Sequence, residues 1–150
     1  SFRLATVFGM SPRMRIDLLV NDFTHRAVHD GFVVLFESHF KRNYIHVRDV
    51  CKAFIHGINN LDIMNGQIYN VGLTDANISK FELCQRIQKY VPNFTFMEAP
   101  LHKDPDQRNY IVSNAKIEAT GFKPDFSLDR GIVELIKGYQ LVRNIRYGNM

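Results

Sequence analysis

The sequence predicts an α/β fold, and three observations carry that expectation. Short β-leaning apolar runs alternate along the chain with amphipathic stretches of helical period, the order found in α/β proteins. The first run, Phe2 to Phe8, is largely apolar rather than strictly alternating, which suits a strand covered on both faces. No stretch between elements is long enough to separate two independent domains, so the 150 residues are expected to form one unit.

Taken in order, Gly9 and Pro12 stop the first strand. From Met14 to His29, Ile16, Leu19, Val20, Phe23 and Ala27 recur on one helical face, and Asp30-Gly31 ends the helix. Phe32–Phe36 and Lys41–Val47 read as short strands. Val47, Val50, Cys51, Phe54, Ile55 and Ile58 then form a strong helical stripe closed by Asn59-Asn60. Gln67–Gly72 reads as a further strand ending in a glycine turn. In Ser79-Lys80-Phe81-Glu82 the spacing of hydroxyl and carboxylate makes a capping box, with Ile78 and Leu83 placed as a hydrophobic staple. Phe94–Glu98 and Arg108–Val112 look extended. A short helix over Asn114–Thr120 stops at Gly121, and Ser127 caps a last helix with the stripe Leu128, Ile132, Leu135, Ile136 and Tyr139.

Composition narrows the function classes. A hydrophobic share of 45% supports a real core, and 23% charged residues is ordinary for a soluble globular chain. A net charge of +4 fits an anionic ligand, yet no block of like charges supplies a nucleic-acid arm. No apolar run approaches the roughly 18 residues of a membrane span, and no signal-peptide pattern opens the chain. Cys51 and Cys84 both fall in apolar periodic segments and are expected to be reduced core residues of a cytoplasmic protein.

Two arginines are the candidate ligand groups. Arg42 opens a short strand, with Asp49 at the start of the next helix, and Arg108 lies in a separate extended segment. Two guanidinium forks converging on one diphosphate would each contribute roughly 1.5–3 kcal/mol through charge-assisted hydrogen bonds. Spacing alone leaves open the alternative of surface ion pairs, Arg42 with Asp49 or Glu37 and Arg108 with Asp104 or Asp106.

The run Arg42-Asn43-Tyr44-Ile45-His46-Val47-Arg48-Asp49 resembles the strand-to-helix signature of the NAD-dependent sugar-nucleotide epimerases and dehydratases, in the extended short-chain dehydrogenase/reductase family. Arg108–Lys116 resembles a second element of that family, with Ser113-Asn114-Ala115 where Asp and Ser are commoner. Arg3–Gly9 resembles the strand beside the nicotinamide. Asp17-Leu18-Leu19 and Val34-Leu35-Phe36 resemble the segments around the nucleotide base. Tyr69–Gly72, Gly121–Pro124 and Ser127–Ile132 resemble later family motifs in the same order.

The resemblance implies the last strands of a Rossmann-type sheet plus the small α/β substrate-binding subdomain. It implies that Arg42 and Arg108 bind the diphosphate and that Tyr44 lines the same pocket. It assigns Asp17, Leu18, Val34 and Phe36 to the nucleotide base, and Thr6, where the family often has Asn, to the substrate. Ala5 and Val7 would face the cofactor, NAD or NADP. The loop Glu37-Ser38-His39-Phe40-Lys41 stands where the family usually has a Gly-rich turn, which leaves sugar and base open.

Two parts of that family's machinery are absent from this sequence. Its glycines are too scattered for a pyrophosphate loop at a helix N-terminus, and no tyrosine is followed by lysine four residues on. Tyr44 and Tyr139 are followed at that spacing by Arg48 and Arg143. The expectation is a C-terminal, substrate-binding portion, inactive alone, tightly holding no cofactor, with an apolar face for the missing NAD-binding half and a tendency to self-associate. A non-enzymatic nucleotide-binding or regulatory protein on the same scaffold is the alternative.

Other classes fare worse. His25 and His29 have metal-binding spacing but no third ligand or H-E-x-x-H arrangement, so a solvated helix face is expected. His46 is expected to be a hydrogen-bonded structural histidine. No G-x-S-x-G element supports a hydrolase. Only Phe40–Tyr44 interleaves aromatics with basic residues as a nucleic-acid surface would.

Overall fold

A computed structural model describes residues 1–99 and 108–141. The expected α/β alternation is present. Parallel pairs are formed by β1 (Phe2–Leu4) with β6 (Tyr69–Val71), β2 (Thr6–Phe8) with β5 (Tyr44–His46), and β3 (Phe32–Leu35) with β8 (Thr95–Glu98). An antiparallel pair joins β4 (Lys41–Arg42) to β7 (Ile78–Ser79). The helices are α1 (Leu19–His29), α2 (Val47–Asn59), α3 (Leu61–Met64), α4 (Lys80–Gln88), α5 (Ala115–Glu118) and α6 (Leu128–Leu141).

The opening run is two strands rather than one. The successive N–H groups of Ala5 and Thr6 donate to Val71 O (2.9 Å) and Asn43 O (3.0 Å), so the strand passes from one neighbour to another at Ala5. Leu73 N in turn donates to Tyr44 O (2.8 Å). Around this frame the core closes, with Phe8, Ile45, Val71, Leu83, Ile87, Phe94, Leu128, Ile132 and Leu135 all sealed from solvent. Helix α1 lies against α6 and α4.

Several sequence expectations shift. The first helix begins at Leu19, not Met14, because the chain before it is held in a turn by buried Asn21, whose amide donates to Arg15 O (2.9 Å) and accepts from Gly9 N (3.1 Å). Ile16 is buried through that turn rather than through a helical face. Arg108–Val112 forms no strand; it is tied to its neighbours by one backbone bond, from Tyr110 N to Lys41 O, and by the side chains of Asn109 and Asn77. The capping box at Ser79 forms in both directions, with Ser79 Oγ accepting from Glu82 N (3.1 Å) and Glu82 Oε2 from Ser79 N (2.7 Å).

The largest difference is in α2. Its apolar stripe, whose Cys51 is read from the sequence as a core residue, faces outward, with Phe54, Ile55 and Ile58 51%, 59% and 72% exposed. Cys51 shares that outward face, so only Cys84 is a core thiol, its pKa pushed up to about 12 by burial. Only Ala53 and Asp49 of this helix are fully buried.

Candidate functional site

Backbone and amide contacts bring the two arginine segments together. Lys41 N donates to Asn109 Oδ1 (3.0 Å), and Tyr110 N donates to Lys41 O (3.2 Å), so residues 109–110 are sewn onto β4 beside Arg42. Asn77 holds the next part, accepting from Val112 N (2.8 Å) and donating to Val112 O (3.0 Å). The Arg42 guanidinium stands over the Tyr110 ring, 5.6 Å from its centroid, a cation–π distance. Arg42 is buried to 1% exposure while Arg108 is exposed. Asp104 and Asp106, the ion-pair alternatives for Arg108, lie outside the described residues, as do His102 and Arg143.

Asp49 does different work from that its position suggested. Its carboxylate accepts from Asp125 N (2.8 Å) and Phe126 N (3.0 Å), fixing the loop before α6 onto the start of α2. His46 is structural, as expected. Its Nδ1 accepts from Arg48 N (3.2 Å) as the N-cap of α2, and its ring stacks on Phe126 at 4.1 Å. Gly9, at φ +117°, passes so close to this ring that any side chain there would strike it.

Tyr44 has no solvent-facing surface. It is wholly buried, and burial raises its pKa, against the opposing charge of Arg42. Its hydroxyl has no hydrogen-bond partner among the described residues. The structure therefore puts Tyr44 inside the core near Arg42 rather than on an open pocket wall. Thr6 and Val7 are half-buried and Ala5 is buried, all on the β1–β2 strand.

A cleft of about 340 Å³ gathers three of the residues assigned to the base: Asp17, Val34 and Phe36. Leu19, not Leu18, completes that side; Leu18 is half-buried and absent from the lining. Phe23 and the Asp22–Arg26 ion pair (2.7 Å) from α1 form another wall, and Asp17 pairs with Arg15 at 2.6 Å.

The sequence reading missed Lys80, which also lines this cleft. It is 2% exposed, and its Nζ donates to Phe36 O (2.8 Å) and stands 5.6 Å from the Phe40 ring centroid. A signal was available. A lysine at the first position of a helix sits at the positive end of the macrodipole, where cations are disfavoured.

Of the histidine pair on α1, His29 is exposed and His25 half-buried. The His25 and His29 rings lie 4.5 Å apart, and His25 packs edge-on against Tyr139 at 5.1 Å. Burial, then the neighbouring His29, lowers the His25 pKa. Among the described residues no three His, Cys, Asp or Glu side chains cluster as metal ligands. None of the described helices is long and apolar enough to cross a membrane.

Comparison with known proteins places this geometry. Residues 1–72 match the model of the NAD dependent epimerase/dehydratase family. The low-salt glycan biosynthesis protein Agl12 of Haloferax volcanii is 26% identical over 139 residues, covering 89% of this chain and 43% of that protein. The UDP-glucose 4-epimerase of Thermotoga maritima, solved with UDP-glucose, superposes with a TM-score of 0.69 at 24% identity, covering 93% of this chain and 45% of its own. The UDP-glucuronic acid 4-epimerase of Bacillus cereus, in complex with UDP-glucuronic acid and NAD, gives 0.76 at 17%, with 93% and 44% covered. L-threonine dehydrogenase from Phytophthora infestans gives 0.77 at 18%, with 93% and 48% covered.

The fold is thus that of the extended short-chain dehydrogenase and epimerase structures, and the chain is related to NAD-dependent epimerases and dehydratases. It spans less than half the length of these relatives. Ala5, Thr6 and Val7 lie side by side on the β1–β2 strand, the first buried and the other two half-buried.

Proposed function

We propose that this chain is the nucleotide-sugar-binding portion of an NAD-dependent epimerase or dehydratase, working in the cytoplasm and inactive by itself. The single observation that carries this reading is the joining of Arg42 to the Arg108 segment through Lys41, on the β4–β7 pair whose next residue, Lys80, lines the cleft. In this reading the base enters between Val34, Phe36 and Leu19. The diphosphate meets Arg42 and Arg108, with Tyr44 packed in the core near Arg42. Thr6 lies toward the sugar, and Ala5 and Val7 toward a nicotinamide held by groups outside this chain.

NAD supplies hydride transfer in such enzymes. The exposed stripe of α2 is the surface proposed to meet the NAD-binding portion. Whether the reaction inverts, dehydrates or oxidises the sugar is set by groups near a catalytic tyrosine that this sequence does not contain. The likeness to L-threonine dehydrogenase is a reminder that the fold is also found in an enzyme named for an amino acid.

Calorimetric titration with UDP-, dTDP-, GDP- and CDP-sugars, each beside its parent nucleoside, tests the reading. The diphosphates should bind and the nucleosides should not. Replacing exposed Arg108 with Ala should weaken binding by about ten- to a hundredfold, or about 1.4 kcal/mol per decade. Unchanged affinity in Arg108→Ala would remove the diphosphate assignment.

A further inference from the structure

We propose that His25 and His29 form a two-imidazole chelate for a divalent cation of the nickel and copper class. The site is independent of the nucleotide reading, and neither histidine lines the cleft.

Residues four apart on a helix share a face, so α1 brings the two side chains together for as long as the helix is formed. Their ring centroids are 4.5 Å apart. With a metal–nitrogen bond of about 2.0–2.1 Å and a ring nitrogen roughly 1.2 Å from its own centroid, two imidazoles at about 90° on one metal hold their centroids roughly 4.5 Å apart. A tetrahedral angle would spread them to roughly 5.2 Å. The pair therefore suits the tetragonal geometry of Ni²⁺ and Cu²⁺ better than the tetrahedron of Zn²⁺.

Both rings are also available and ordered. Among the described residues neither makes a hydrogen bond through a ring nitrogen, whereas His46 and His56 do. Solvent reaches the pair from the His29 side. Buried Tyr139 fixes the other side. Its ring stands edge-on to His25 at 5.1 Å and lies 6.4 Å from His29. Its hydroxyl donates to Asn21 O (3.1 Å), one turn before His25 on the same helix. Tyr139 thus limits the rotamers open to His25, and a chelate ordered beforehand loses less entropy on closing.

The local field favours a cation. His29 is in the last turn of α1, at the negative end of the macrodipole, and the charges of Asp30 and Asp22 act on His25 against that of Arg26. No third protein ligand joins the pair among the described residues. Water fills the remaining positions, so the ion exchanges more readily than one in a closed structural site.

The test is calorimetric titration of the whole chain with Ni²⁺, repeated for His25→Ala and His29→Ala, all carrying Cys51→Ser because that thiol is exposed. Each histidine variant should bind about tenfold or more weakly than the chain with both histidines. The two imidazoles meet only in the folded helix. Saturating Ni²⁺ should therefore raise the urea midpoint of the chain with both histidines and leave that of His29→Ala where it was. Cu²⁺ should bind more tightly still, and Zn²⁺ more weakly than Ni²⁺. Zn²⁺ binding more tightly than Ni²⁺ overturns the assignment to the nickel and copper class. Failure of the chain with both histidines to bind Ni²⁺ overturns the site itself. So does a midpoint shift that persists unchanged in His29→Ala, with its helix content confirmed by circular dichroism.

Discussion

A histidine sealed from solvent at the head of a helix stays folded most cheaply when neutral, and His46 is in that position. Its Nδ1 accepts the Arg48 N–H, which puts the ring proton on Nε2, 3.5 Å from Glu134 Oε1. Burial lowers its pKa below the ordinary 6.5, while Glu134 and Asp49 pull upward and Arg48 pulls down. Because the folded pKa is depressed, the unfolded chain binds the proton more readily in the window below 6.5. Stability is therefore complete above that value and falls as the solution is acidified. His25 shifts in the same direction and adds to the slope. Urea unfolding followed from pH 7 to pH 5 should show declining stability, and His46→Asn, which keeps a capping acceptor, should flatten part of the decline. An unchanged slope in that variant would show that His46 does not titrate on unfolding.

At this scale the sequence revealed types and spacings but not depth. Asp17, Val34 and Phe36, read from two separate segments, meet in one cleft. Tyr44 and Lys80 did not disclose their places, for one reason: burial is decided by what folds over a residue from elsewhere. Residues 73 and 110, far along the chain, enclose the neighbourhood of Tyr44. The carbonyl that accepts from Lys80 belongs to Phe36, 44 positions away.

Elements were legible where their signals were local. The capping box at Ser79 needs only four consecutive residues, and both of its hydrogen bonds form. Glu82 is correspondingly held below the ordinary carboxylate range by the Ser79 N–H. Ser79→Ala should cost about 1 kcal/mol, read as a lowered urea midpoint at unchanged slope. A change in slope instead would mean that more than one helix end had been disturbed. The end of α1 and the cap of α6 at Ser127 were local in the same way, with Arg130 N donating to Ser127 Oγ at 3.2 Å. The start of α1 was not, since Asn21 binds Arg15 O and Gly9 N across a turn that helical periodicity runs straight through. The split of the opening strand at Ala5 depends on two different partner strands and has no signature in Phe2–Phe8 itself.

On the scale of the whole molecule, the stripe of α2 poses a problem that the described residues leave unsolved. Phe54, Ile58 and Leu61 line one shallow groove with Phe2, Met64 and Tyr69, and Ile55 extends the apolar surface beside it. Helical periodicity correctly found an amphipathic helix but could not say that its apolar face would point outward. Each described strand, moreover, pairs with only one other. A contiguous apolar surface of this kind favours association, because removing it from water contributes about 25 cal/mol per Å². In the proposed whole enzyme the NAD-binding portion would cover it; with this chain alone, a second copy is the available cover. Sedimentation of the isolated chain should accordingly show self-association that grows with concentration. Ile55→Glu with Ile58→Glu should shift the population to monomer. Both side chains are already exposed, so the pair should change unfolding stability of the monomer by less than about 1 kcal/mol. A chain that sediments as a monomer at all accessible concentrations, and that binds no apolar dye, would show that this face is not an interface.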